Sequence, residues 1–129
     1  MAWLSLVLRL CAPIFGIVGA LHLSLGVGAD VLLGAQLPDA ALADPALDSQ
    51  NRFYGVAFAL YGLLLYRCAL DLRAGAPILR IVIWTFFAAG LARIVSIATH
   101  GVPPPLGIIG TFTSVLWAAA CAGVVLLVR

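Results

Sequence analysis

Ile78-Leu79-Arg80-Ile81-Val82-Ile83-Trp84-Thr85-Phe86-Phe87-Ala88-Ala89-Gly90-Leu91-Ala92-Arg93-Ile94-Val95-Ser96-Ile97 is the stretch that decides the fold. As an α-helix these residues rise about 30 Å, the thickness of the hydrocarbon core of a bilayer. The stretch holds no acidic residue, yet Arg93 lies near its end. A charge inside such a run is rare unless it is paired, hydrated or functional, so Arg93 is the first functional pointer in the chain.

The rest of the chain has the same character. Of its 129 residues 64% are hydrophobic and 9% charged, against about a quarter charged in a soluble domain. Too few polar side chains are present to cover a water-facing surface, so lipid is the expected solvent. The sequence predicts one integral membrane domain with four spans, at roughly 3–27, 51–72, 76–99 and 104–128. The fold class is all-α, an antiparallel four-helix transmembrane bundle with an ordered outer loop between the first two helices.

Local signals set the expected boundaries. Asp48 or Ser49 is expected to cap the second helix. Gly75 and Pro77 are expected to separate the second from the third. His100-Gly101 ends the third, and Pro103-Pro104-Pro105 opens the fourth. Pro13 is expected to kink the first span. Val27-Gly28-Ala29 has the small residues of a leader cleavage site, but the preceding run is long and interrupted by Arg9 and Pro13, so a retained span is expected.

All seven basic residues are arginine and all five acids aspartate. Arg9, Arg67, Arg73, Arg80 and Arg129 fall on one side of a four-span topology. Four aspartates, Asp30, Asp39, Asp44 and Asp48, fall in the first connection on the other. Positive residues stay inside, so both termini and the 73–76 turn are expected in the cytoplasm of a cell whose inner membrane holds the protein. The apolar segment 30–37 is expected either to extend the first helix or to fold back onto the bundle; Asp44-Pro45 is a good start for a further helical turn. The net charge of +2 and the lack of a basic run argue against nucleic acid. The odd number of cysteines, Cys11, Cys68 and Cys121, argues against a disulfide framework.

Between spans, lipid offers no hydrophobic drive, so contact should form at small residues. Gly16, Gly19 and Gly26 offer such a face on the first span. Gly55, Ala59 and Gly62 offer one on the second, beside an aromatic stripe of Tyr54, Phe58 and Tyr61. Gly110, Ser114, Trp117 and Cys121 offer one on the fourth.

The polar residues gather by depth. Arg93 precedes His100 by about 10 Å of helix, which places it in the outer half of the membrane. Ser96 and His100 follow on the same broad face. His22, Asn51, Arg52 and Tyr54 fall in the same layer, and the inner half shows nothing comparable. Three kinds of partner suit the two arginines: a loop aspartate, Asp30 or Asp48; carbonyls at a helix C-terminus; or a bound anion, which guanidinium groups hold bidentately. The first two make a structural clasp, the third a pocket. His22 and His100 lack metal-binding spacing, so a hydrogen-bonded histidine is expected, with His22 also suited to relay protons. No nucleophile elbow, phosphate loop or haem motif is present, so neither catalytic residues, a metal nor a cofactor is expected.

Leu47-Asp48-Ser49-Gln50-Asn51-Arg52-Phe53-Tyr54-Gly55, Gly90-Leu91-Ala92-Arg93-Ile94-Val95-Ser96 and Gly101-Val102-Pro103 resemble an uncharacterised family of small bacterial four-helix inner-membrane proteins. The resemblance runs from about residue 12 to 110. It implies recurrent polar positions at Asp48, Asn51, Arg52, Arg93 and Ser96, and no assigned activity. A final-span glutamate of that pattern is absent here, where Thr113 or Ser114 stands.

The expected function is that of a membrane binding protein. A lipid or small anion would sit in an outward-facing pocket of Arg93, Arg52, His22, Asn51, Tyr54 and Ser96, with Asp30, Asp48 and His100 as structural polar partners. An accessory subunit of a larger membrane complex and a small homo-oligomeric transporter are the alternatives.

Overall fold

The computed structural model describes residues 2–102. The predicted fourth span lies outside the described residues, together with Ser114, Trp117 and Cys121. The described residues form α1 (Ala2–Leu25), α2 (Gly28–Leu32), α3 (Asp39–Leu42), α4 (Pro45–Leu70) and α5 (Leu72–His100), with no strand among them. α1, α4 and α5 are each long and apolar enough to cross a membrane, which marks the chain as a membrane protein.

α1 runs through Pro13 as one continuous helix. α4 starts at Pro45, six residues before the expected 51, and its cap is Asp44 rather than Asp48 or Ser49. Asp44 Oδ1 accepts from the N–H groups of Ala46 (2.8 Å) and Leu47 (3.4 Å), and Pro45 takes the first helical position, where its missing N–H costs nothing. Apolarity marks where a span enters lipid, whereas capping marks where the helix begins, and here the two differ by more than a turn.

The break before α5 is also displaced. It falls at Asp71, whose extended backbone (φ −143°, ψ 101°) separates α4 from α5. Asp71 Oδ1 accepts from the Arg73 and Ala74 N–H groups at 2.9 and 3.1 Å. Gly75 and Pro77 lie inside α5 rather than between the helices. Gly75 is a contact glycine: a Cβ there would stand 2.9 Å from Cys68 Cα, and Cys68 Sγ donates to its carbonyl at 3.5 Å.

The chain divides into two compact units after Gly75. In the first, α1 and α4 pack antiparallel, as the order of their contacts shows. A Cβ at Gly19 would lie 2.8 Å from Gly55 O and from Ala59 N; one at Gly62 would lie 2.7 Å from Ala12 O. Nearer the N-terminus, Ser5 Oγ donates to Ala69 O at 2.7 Å. The buried stripe of α1 is Leu4, Leu8, Ala12, Gly19 and His22, and that of α4 is Asn51, Gly55, Gly62, Leu65, Cys68 and Ala69. Side chains absent at Gly19, Gly55 and Gly62 let the two backbones touch, which supplies the dispersion contact that lipid-solvated helices need. Phe15 of α1 packs on Phe58 and Tyr61 of α4, with ring centroids 6.4 and 5.2 Å apart. Large side chains turned from this stripe, such as Leu6, Leu10, Ile14 and Ile17, are exposed, as suits a lipid-facing surface. In the second unit α5 buries Leu79, Val82 and Ile83.

Candidate functional site

The C-terminus of α1 leaves carbonyls without helical donors. Gly26 takes one of them, its N–H reaching His22 O at 2.9 Å. Two others, Leu23 O and Ser24 O, accept from Arg52 Nη1 at 2.6 and 3.4 Å. Arg52 belongs to α4, so one helix caps the other with a guanidinium, whose charge also suits the negative end of the α1 dipole. Arg52 Nε donates to Asp48 Oδ2 at 2.8 Å, one turn earlier on α4.

Gly26 makes this approach possible. Its φ of +56° is the left-handed conformation that ends α1, and any Cβ there would run into the Asp48 carboxylate. The glycine that the sequence suggested as a helix-packing position is thus a turn residue against which the Asp48–Arg52 pair closes.

Beneath this clasp lies His22, only 4% exposed. Its Nδ1 is 2.8 Å from Val18 O and its Nε2 is 3.4 Å from Asp30 Oδ1. Both ring nitrogens therefore face oxygen atoms, the backbone one closely and the carboxylate one at the edge of hydrogen-bond distance. The ring also packs on Phe58, at 5.5 Å between centroids. Asp30 reaches the histidine because α2 folds back beside α1, with Val27 and Ala29 buried. Buried Asn51 donates from Nδ2 to Leu47 O at 3.3 Å. Tyr54 is exposed and its hydroxyl accepts from Gln50 Nε2 at 2.6 Å.

The remaining expected residues stand on α5, in the second unit. Arg93 and Ser96 are exposed, and Arg93 makes no hydrogen bond or ion pair among the described residues. His100 Nδ1 lies 2.6 Å from Thr99 Oγ1, which also donates toward Val95 O and Ser96 O, at 3.0 and 3.2 Å. No acid is available nearby in sequence either: all five aspartates precede Leu72.

The structure thus brings His22 to Asp30 and Arg52 to Asp48, within one unit. It gives Arg52 the carbonyl partners that were one of three expectations. Sequence reading did not foresee which carbonyls these would be. The Asp48/Arg52 spacing of four residues was the available signal; the α1 end it reaches is 28 residues away and visible only after folding. Among the described residues no group of three or more His, Cys, Asp or Glu is placed to hold a metal ion.

A family model described as a domain of unknown function, DUF4345, matches residues 4–126. No curated protein and no solved structure matches the chain.

Proposed function

The chain belongs to the DUF4345 family, and from that premise we propose that it is a multi-pass protein of the bacterial inner membrane that binds a lipid headgroup or small anion from the outer side. In this reading the fourth span completes an antiparallel bundle, the first loop forms an ordered outer cover, and both termini are cytoplasmic. Arg93 is the residue that holds the anion, with Ser96 one turn further along α5.

The observation that carries the proposal is the contrast between two arginines. Arg52 already directs Nε and Nη1 to Asp48 and to the end of α1. Arg93 is exposed on a helix long enough to span the bilayer, in a segment from 72 to 129 that holds no acid. A guanidinium in hydrocarbon costs roughly 2.5–3.5 kcal/mol at a helix centre. A phosphate or carboxylate held bidentately offsets that cost and is itself specified by the fork geometry.

Two variants test this in detergent-purified protein. Arg93→Gln is expected to keep the thermal midpoint of the native protein while losing co-purifying anionic lipid in native mass spectra. Arg52→Gln is expected to lower the midpoint yet keep the lipid. Undiminished lipid in Arg93→Gln would remove the site. Co-purification of a second protein at fixed stoichiometry through α5 would instead favour an accessory subunit.

A further inference from the structure

A groove opens at the other end of the first unit, away from the layer of polar residues expected to form the site. Ala2, Ser5 and Arg9, at i, i+3 and i+7, form one wall on α1, and the 69–73 segment joining α4 to α5 forms the other. The groove is open to its surroundings and has a volume of about 450 Å³, enough for a phosphate with part of its glycerol ester. It exists because Ala2, Ser5 and Ala69 are small. Ser5 Oγ, bonded to Ala69 O at 2.7 Å, fixes the distance between the walls.

Two arginines line it, Arg9 and Arg73, brought together from positions 64 residues apart. Neither makes an ion pair among the described residues. Asp71 also lines the groove, but its Oδ1 is taken by the N–H groups of Arg73 and Ala74 at the start of α5. The walls continue into exposed apolar surface: Leu70 is 52% exposed, and Leu6 and Leu10 are 56% and 61% exposed on α1. Charge at the membrane end and apolar surface leading away from it is the pattern of an amphiphile, not of a free ion. Basic grooves between spanning helices on the positive side of a membrane suit anionic headgroups.

We propose that this groove holds the phosphate of an anionic phospholipid between Arg9 and Arg73, with the acyl chains lying along the apolar faces beside it. The site is separate from Arg93 and stands whether or not Arg93 binds anything. The ligand is a phosphate diester with a net negative charge. A zwitterionic headgroup would bring a cation into contact with two arginines and binds less well.

The test uses the full chain in nanodiscs of phosphatidylcholine doped with phosphatidylglycerol, followed by release into native mass spectrometry. The expected result is retention of phosphatidylglycerol over phosphatidylcholine. In the double variant Arg9→Gln/Arg73→Gln that retention should fall about thirtyfold, each arginine near an anionic surface supplying roughly a factor of five. Arg93→Gln should leave this component unchanged, which separates the two sites. Both replaced side chains are exposed, and helicity by circular dichroism checks that the fold persists. Equal retention in the double variant, or equal retention of phosphatidylcholine by the native chain, overturns the site. Displacement of the lipid by millimolar inorganic phosphate would assign the groove to a soluble anion and overturn the phospholipid.

Discussion

Arg52 and Arg93 carry the same group into different surroundings, and the difference lies in what each can reach. Arg52 starts one turn after Asp48 and lies across from the open end of α1, so its donors find a carboxylate and two carbonyls. Arg93 has apolar neighbours for two turns before it and, apart from Ser96, for the five residues after it. His22 shows a third way to hold a polar group in an apolar setting. It is buried between Val18 O and Asp30 and tilted against the Phe58 ring. The Asp30 contact is long at 3.4 Å and its carboxylate is partly exposed, so the pair should couple weakly, by about 0.5–1 kcal/mol. A double-mutant cycle of His22→Phe and Asp30→Asn, read by thermal unfolding in detergent, is expected to show that coupling. Strict additivity of the two changes would mean that α2 is not held by this contact.

Among the helices, the α1/α4 pair rests on backbone proximity more than on large buried side chains. Gly19 and Gly55 face each other so closely that a methyl group on either would overlap the opposite backbone. Backbone cannot yield as the tip of a flexible side chain can. Gly55→Leu is therefore expected to destabilise the pair by about 1–3 kcal/mol, the usual range for overpacking. Gly16 is the internal control, because a Cβ at that position meets nothing within 4 Å. Gly16→Ala should be neutral or slightly stabilising, since alanine is the better helix former. Thermal midpoints of the two variants in one detergent decide the matter; equal losses would show that α1 and α4 do not meet at Gly19/Gly55.

For the molecule as a whole, charge is distributed by side. The connection between α1 and α4 carries Asp30, Asp39, Asp44 and Asp48, while Arg9 and Arg67 lie toward the other ends of those helices and Arg73 follows at the start of α5. In the topology proposed above, such a bias places the arginines inside. Single cysteines introduced by Asp39→Cys and Arg73→Cys, after Cys11, Cys68 and Cys121 have been replaced by alanine, report it directly. An impermeant maleimide is expected to label position 39 in intact spheroplasts, and position 73 only after permeabilisation. Labelling of position 73 from outside would invert the topology and place the Arg9/Arg73 groove on the opposite leaflet.

The membrane character and the three described helices long and apolar enough to span were legible from apolar length alone, because a predominantly apolar run of about 20 residues suits the hydrocarbon core. The small faces of Gly19, Gly55, Ala59 and Gly62 were legible too, since lipid leaves close contact as the main reason for helices to meet. The helical start at Asp44-Pro45 was legible from its cap and proline, but not that α4 runs on unbroken from it, nor that Asp71 opens α5, because hydropathy does not sense such local geometry. Only the folded chain decided that Arg52 closes the end of α1, that Gly26 serves a turn, and that Arg9 and Arg73 share a groove. Each of these joins residues more than 20 positions apart, and a sequence records how far along the chain two charges lie, not whether an antiparallel pair of helices brings them to the same end.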